Sequence, residues 1–105
     1  MRVTLTARHI EIPPLLEDLL RAKVDKLERF GHKLLSLHAI FGRERYFYTA
    51  ELALAAKGLN LSAKAKDRKD LLTCMEEALM KLKEQLDRRE AKLQERRRRV
   101  THRPA

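Results

Sequence analysis

Basic side chains recur at helical spacing in two stretches of this chain, a pattern suited to holding phosphate. Lys23, Lys26 and Arg29 stand at i, i+3 and i+6, so successive members are neighbours on one helix face. Lys81, Arg88 and Lys92 are separated by seven and four residues, about two turns and one turn. Arg89 and Arg96 extend the same side, and Arg96 to Arg99 form an unbroken arginine run. Lys64 and Lys66 alternate outward on a predicted strand, which adds charge to an open sheet face. Together these groups offer positive charge to a polyanion.

Other carriers of chemistry are missing from the sequence. It contains no GxxxxGK[ST] loop, no GxGxxG, no HExxH and no GxSxG. His9, His32, His38 and His102 lie far apart, and with the single Cys74 they offer no metal-ligand spacing. Aspartate and glutamate are interspersed with lysine and arginine on helix faces, where they read as surface pairs. Cys74 reads as a small packing residue at the edge of a helix stripe. The expectation is a non-enzyme with no cofactor, no metal and no small-molecule substrate. Tyr46, Phe47 and Tyr48 form one aromatic cluster. Such rings can stack on bases, but they are also residues that strands favour. The basic tail has no aromatic residue, which favours recognition of backbone and shape over base readout.

The elements that must position these charges follow from hydrophobic periodicity. Residues 2–8 alternate, with Val3, Leu5 and Ala7 inward, as in a half-buried strand. Pro13-Pro14 open a helix, whose stripe is Leu16, Leu19/Leu20, Lys23/Val24, Leu27 and Phe30, stopped by Gly31. A second strand over 34–42 turns Leu35, Leu37, Ala39 and Phe41 to one side. A polar turn at 43–45 leads to a strand over 46–56, and Lys57-Gly58 turn the chain into a strand over 59–66. Asp67 is placed to cap the last helix, with Asp70 in support. That helix carries Leu71/Leu72, Met75, Leu79, Leu82 and Leu86 before basic residues take over. The predicted fold is α+β in the order β-α-β-β-β-α, a four-stranded sheet with two helices packed on one face. It is double-stranded-RNA-binding-domain-like: the three hairpin strands with a helix on each side in sequence are also the layout of that module.

The chain has 105 residues, the size of one domain. It reads as a single α+β domain over 1–94 with a basic extension over 95–105. Of the net charge of +9, residues 88–105 hold +6, from eight Lys/Arg and two Glu. An excess at one end suggests a docking surface. One cysteine excludes an internal disulfide. No apolar run approaches the roughly 20 residues needed to span a bilayer, and no signal-peptide stretch follows Met1. A cytoplasmic protein with no membrane partner is expected.

Several segments, in order, resemble the ribosome hibernation-promoting factor family, which includes the ribosome-associated inhibitor. Thr6-Ala7-Arg8-His9-Ile10-Glu11-Ile12 resembles its opening segment, with Ala7 where a glycine is usual. Lys23-Val24-Asp25-Lys26-Leu27-Glu28-Arg29 resembles its KLxKLER helix, and residues 50–58 resemble its third strand and turn. Asp70-Leu71-Leu72-Thr73-Cys74-Met75-Glu76 stands at its DMYxxID segment, with Leu71-Leu72 in place of Met-Tyr. Lys81-Leu82-Lys83-Glu84-Gln85-Leu86 resembles its KLxxQL. Pro13 replaces a frequent threonine cap, and Glu90 interrupts the basic pattern. The resemblance implies binding to the small ribosomal subunit and its ribosomal RNA, in the channel of messenger and transfer RNA. It implies inhibition of translation and protection of idle ribosomes under stress or in stationary phase. It places Lys23, Lys26, Arg29, Lys81, Arg88 and Lys92 on RNA phosphates. The dimerisation domain of the long-form members is expected to be lacking. Two alternatives come from the residues themselves. One is a general double-stranded-RNA-binding module. The other is a structural dimer paired through the heptad-like seam of Met75, Leu79, Leu82, Leu86 and Leu93.

Overall fold

A computed structural model of the chain describes the backbone of residues 1–29 and 33–101 and the side chains of residues 1–28 and 33–89. The elements are β1 (Arg2–Arg8), α1 (Pro14–Arg29), β2 (Leu34–Glu44), β3 (Phe47–Ala56), β4 (Leu59–Asp67) and α2 (Leu71–Thr101). The strands form one sheet in the order β1-β2-β3-β4. β1 and β2 run parallel, and the other pairs are antiparallel. Parallel neighbours require a crossover connection, which α1 provides. Two-residue loops, Arg45-Tyr46 and Lys57-Gly58, close the hairpins. Gly58 has φ 72, a region that costs glycine nothing because it has no Cβ.

Alternation along each strand sorts the sheet into two faces. Across the strands, Val3, Leu37, Leu54 and Leu61 form one inward row; Leu5, Ala39, Leu52 and Ala63 form the next. The third inward row sets the ring of Phe41 beside Ala50 and Ala65. Those alanines leave room for the helix above them. α1 buries Leu16, Leu20, Val24 and Leu27, and α2 buries Leu71, Cys74, Met75, Ala78, Leu79, Leu82 and Leu86 in the same core. α2 packs across β3 and β4. The expected α+β architecture is therefore present, with both helices on one face.

Several details differ from the sequence reading. Leu35 was expected inward, but a register irregularity between Leu34 and Ser36 inserts one extra residue, as in a β-bulge. Leu34 takes the buried place and Leu35 is 59% exposed. Ala7 keeps its inward parity yet is exposed, because β1 is an edge strand and an open groove lies between its end and the start of α1. The turn expected at 43–45 falls instead at Arg45-Tyr46, so β2 runs through Glu44 and β3 starts at Phe47. The α2 cap is Asp70 rather than Asp67. Asp70 Oδ1 accepts the Thr73 amide at 2.6 Å, while Asp67 Oδ2 accepts the amides of Lys69 and Asp70 and shapes the turn before it.

Met75, Leu79, Leu82 and Leu86 are buried in the protein's own core, so they are not available as a pairing seam. Leu93, and the α1 stop expected at Phe30-Gly31, lie outside the residues described in that detail. Cys74 is fully buried rather than at the stripe's edge. Its thiol lies 3.1 Å from the Ala65 carbonyl and 3.4 Å from that of Tyr48.

Two measurements test this arrangement. Burial pushes the Cys74 thiol up to about 11, with Glu77 and Asp67 adding to the shift. The native protein should resist a thiol reagent at about pH 8, where an ordinary cysteine is partly ionised, and labelling should follow unfolding. Rapid labelling of the folded protein would contradict the buried site. The Thr73 amide holds the Asp70 carboxyl below its ordinary value of 3.8. A lowered carboxylate pKa stabilises the fold above the ordinary value, and that contribution is lost as pH falls through the lowered one. Asp70→Ala should lower the thermal midpoint by a few degrees at neutral pH, and the gap from the unmodified protein should close in acid. A gap independent of pH would show that the carboxylate is not the cap.

Candidate nucleic-acid interface

Two side chains fasten α2 to the outer edge of β4. Lys81 Nζ donates to the Lys64 carbonyl at 2.9 Å, and Gln85 Nε2 donates to the Ser62 carbonyl at 2.9 Å. Outward carbonyls of an edge strand otherwise face water or another chain. One turn further along, Arg88 and Arg89 share a shallow cleft with Leu61 and Gln85. Lys64 and Lys66 project from the open face of the same strand. Lys64, Lys66, Lys81, Arg88 and Arg89 are all exposed. They form a cationic strip that wraps the β4 edge from sheet face to helix.

Several of these charges already have partners. Lys64 Nζ is 3.8 Å from Glu51 Oε1, Lys66 Nζ is 3.3 Å from Glu44 Oε2, and Arg88 is 3.9 Å from Glu84. Exposed pairs of this kind are worth roughly 0–1 kcal/mol, so exchanging a carboxylate for a phosphate costs little. Lys81 gives one N–H to a carbonyl and keeps its charge and two further donors.

Lys23 and Lys26 lie elsewhere. On α1, Glu28 reaches the Met1 amino group at 4.0 Å on the β1 side. At 100° per residue, Lys23 and Lys26 fall on the opposite flank, toward α2. The body of α2 separates them from the β4 strip. Lys23 is half-buried and Lys26 exposed. Among the described residues, neither has a carboxylate within ion-pairing distance. Arg29 and Lys92 lie on α1 and α2, but their side chains, like those of Arg96 to Arg99, are outside the described residues. The fold thus gathers five of the sequence-derived candidates on one strip and sets Lys23 and Lys26 apart.

Sequence reasoning missed Arg8, Arg43 and Arg68. Arg8, Gly42, Thr49 and Lys66 form one row across the open face. A Cβ on Gly42 would meet Thr49 Oγ1 at 2.9 Å, so glycine keeps the row low at its centre. A shallow concavity of about 510 Å³ results, bordered by Arg8, Arg43, Lys64 and Lys66 together with Glu44 and Glu51. The outward parity of Arg8 was visible in β1, but its alignment with Lys66 required the register. Arg68 sits 5.2 Å over the Phe47 ring, and Arg43 sits 5.3 Å over that of Tyr48. His38 lies between the hydroxyls of Thr4 and Thr6 on the open face. Among the described residues, no three His, Cys, Asp or Glu side chains converge as metal ligands. No described helix is long and apolar enough to cross a membrane.

Comparison with known proteins agrees with this architecture. The chain is 26% identical over 95 residues to a protein from Klebsiella oxytoca named ribosome hibernation promoting factor, covering 90% of this chain and 99% of that one. A ribosomal subunit interface protein from Coxiella burnetii has the same fold, with a TM-score of 0.78 at 20% identity over 87% of this chain and 99% of the other. The N-terminal domain of Thermus thermophilus Protein Y superposes with a TM-score of 0.74 at 22% identity, over 84% and 98% of the two chains. Residues 3–94 match the family described as Sigma 54 modulation protein / S30EA ribosomal protein. With the match spanning nearly all of the sheet and both helices, the chain belongs to that family.

Proposed function

We propose that this protein is a ribosome hibernation factor, a binding protein rather than an enzyme. It docks on the small ribosomal subunit through ribosomal RNA, in the channel used by messenger and transfer RNA. There it inhibits translation and protects idle ribosomes under stress or in stationary phase, in the cytoplasm. The observation that carries this reading is the cationic strip along the β4 edge, in a chain whose family and named relative are ribosomal.

The strip supplies charge-assisted donors for phosphate oxygens. Lys64, Lys66, Lys81, Arg88 and Arg89 are its members, and Lys23 and Lys26 supply a second contact across α2. Arg29 and Lys92 extend these two groups along their helices. Residues 95–105 strengthen docking by continuing the positive charge beyond the 1–94 domain. Phosphate contacts set affinity and register without reading sequence, so selectivity for the ribosome comes from the shape of the site that presents the RNA.

Sedimentation with purified small subunits over a salt series tests this reading. If about six phosphates are neutralised, affinity should fall on the order of a thousandfold between 50 and 200 mM salt. Replacing Arg88 and Arg89 with alanine should weaken binding and make the salt slope shallower by about one per lost contact. In a translation extract the unmodified protein should stop synthesis. Full synthesis at saturating, folded protein would refute the proposal, as would displacement from subunits by unrelated duplex RNA.

A further inference from the structure

Three of the chain's five aromatic residues sit at the tip of one hairpin, and their rings are not alike. Tyr48 faces the helix side and carries the Arg43 guanidinium. Phe47 faces the open side and carries that of Arg68. Tyr46 is in the two-residue loop, 78% exposed, and among the described residues no cation covers its face. Its loop neighbour Arg45 has φ 47, a conformation that L side chains seldom adopt. A groove beside the ring is lined by Glu44, Arg45, Phe47 and Lys66.

We propose that the β2–β3 hairpin tip is a base-stacking site, in which the Tyr46 ring takes one unpaired RNA base while Arg45, Lys66 and Arg68 hold the flanking phosphates. Charge argues for a nucleic acid over an apolar peptide: four cations, Arg43, Arg45, Lys66 and Arg68, surround the cluster. Of the nearby carboxylates, Asp67 is committed to backbone amides, and Glu44 pairs with Lys66 in the groove itself, an exposed pair that a phosphate can exchange at little cost. Geometry argues for a single strand: stacking needs a base freed from its helix. Lys66 belongs both to this site and to the β4 strip, so the two are joined. Leu71 and Arg88 lie 17 residues apart along α2, a span of roughly 26 Å. The hairpin therefore extends the β4 strip to the opposite end of the sheet from Arg88 and Arg89. It takes only the source of the strand, ribosomal RNA, from the function proposed above.

The test uses the full chain and a short single-stranded RNA bearing a fluorescent adenine analogue that is quenched by stacking. The unmodified protein and Tyr46→Phe should quench the probe, whereas Tyr46→Leu should not. Tyr46→Leu should also bind roughly 5- to 100-fold more weakly, and the same sequence as a duplex should leave the emission unchanged. Tyr46 packs on nothing in the core, so these variants should fold. Sedimentation with small subunits runs in parallel. Quenching without sedimentation would uphold the stacking site and remove the ribosome as its source. Sedimentation with equal binding and no quenching in all three proteins would overturn the stacking site alone.

Discussion

α2 lies across β3 and β4, whose helix-facing side carries several small residues. Ala50, Ala63 and Ala65 face the helix, and Met75, Ala78, Leu82 and Leu86 fill the space above β3 and β4. Dense packing of this kind fixes the helix in one rotation. That rotation decides which residues are left for the edge: Lys81 and Gln85 meet the β4 carbonyls, and Arg88 and Arg89 follow one turn on. Were α2 rotated by one residue, about 100°, this line of donors would leave the edge. The position of the proposed interface is thus a product of core packing.

The same packing has a second consequence. Both helices cover one face only, so the opposite face presents its polar rows to solvent. Those rows are not uniformly basic. Glu51 and Glu44 face Lys64 and Lys66, which moderates charge repulsion within the free protein. Weak pairs that a phosphate can replace suit the docking role proposed for this surface.

Much of this was readable from residues alone. Strict alternation in β1, β3 and β4 located the strands, and Pro14 and the Leu16-Leu20-Val24-Leu27 stripe located α1. The errors have physical causes. Leu34 and Leu35 are chemically equal, so only pairing reveals which one the bulge turns outward. Asp67 and Asp70 are both good caps three residues apart, and geometry chose the second. The basic strip was seen only as separate stripes, because Lys64 and Lys81 meet through contact between β4 and α2, which periodicity does not encode. The alignment of Arg8 with Lys66 and the arginines over Phe47 and Tyr48 depend on register and hairpin geometry in the same way.

The proposed function requires that the β4 edge be the face that meets RNA. Photo-crosslinking on isolated small subunits tests it most directly, with a photoreactive residue placed at Arg89 in one variant and at exposed Asp18 on α1 in another. Ribosomal RNA adducts are expected from position 89 and few or none from position 18. RNA adducts from position 18 alone, or only protein adducts from position 89, would contradict it.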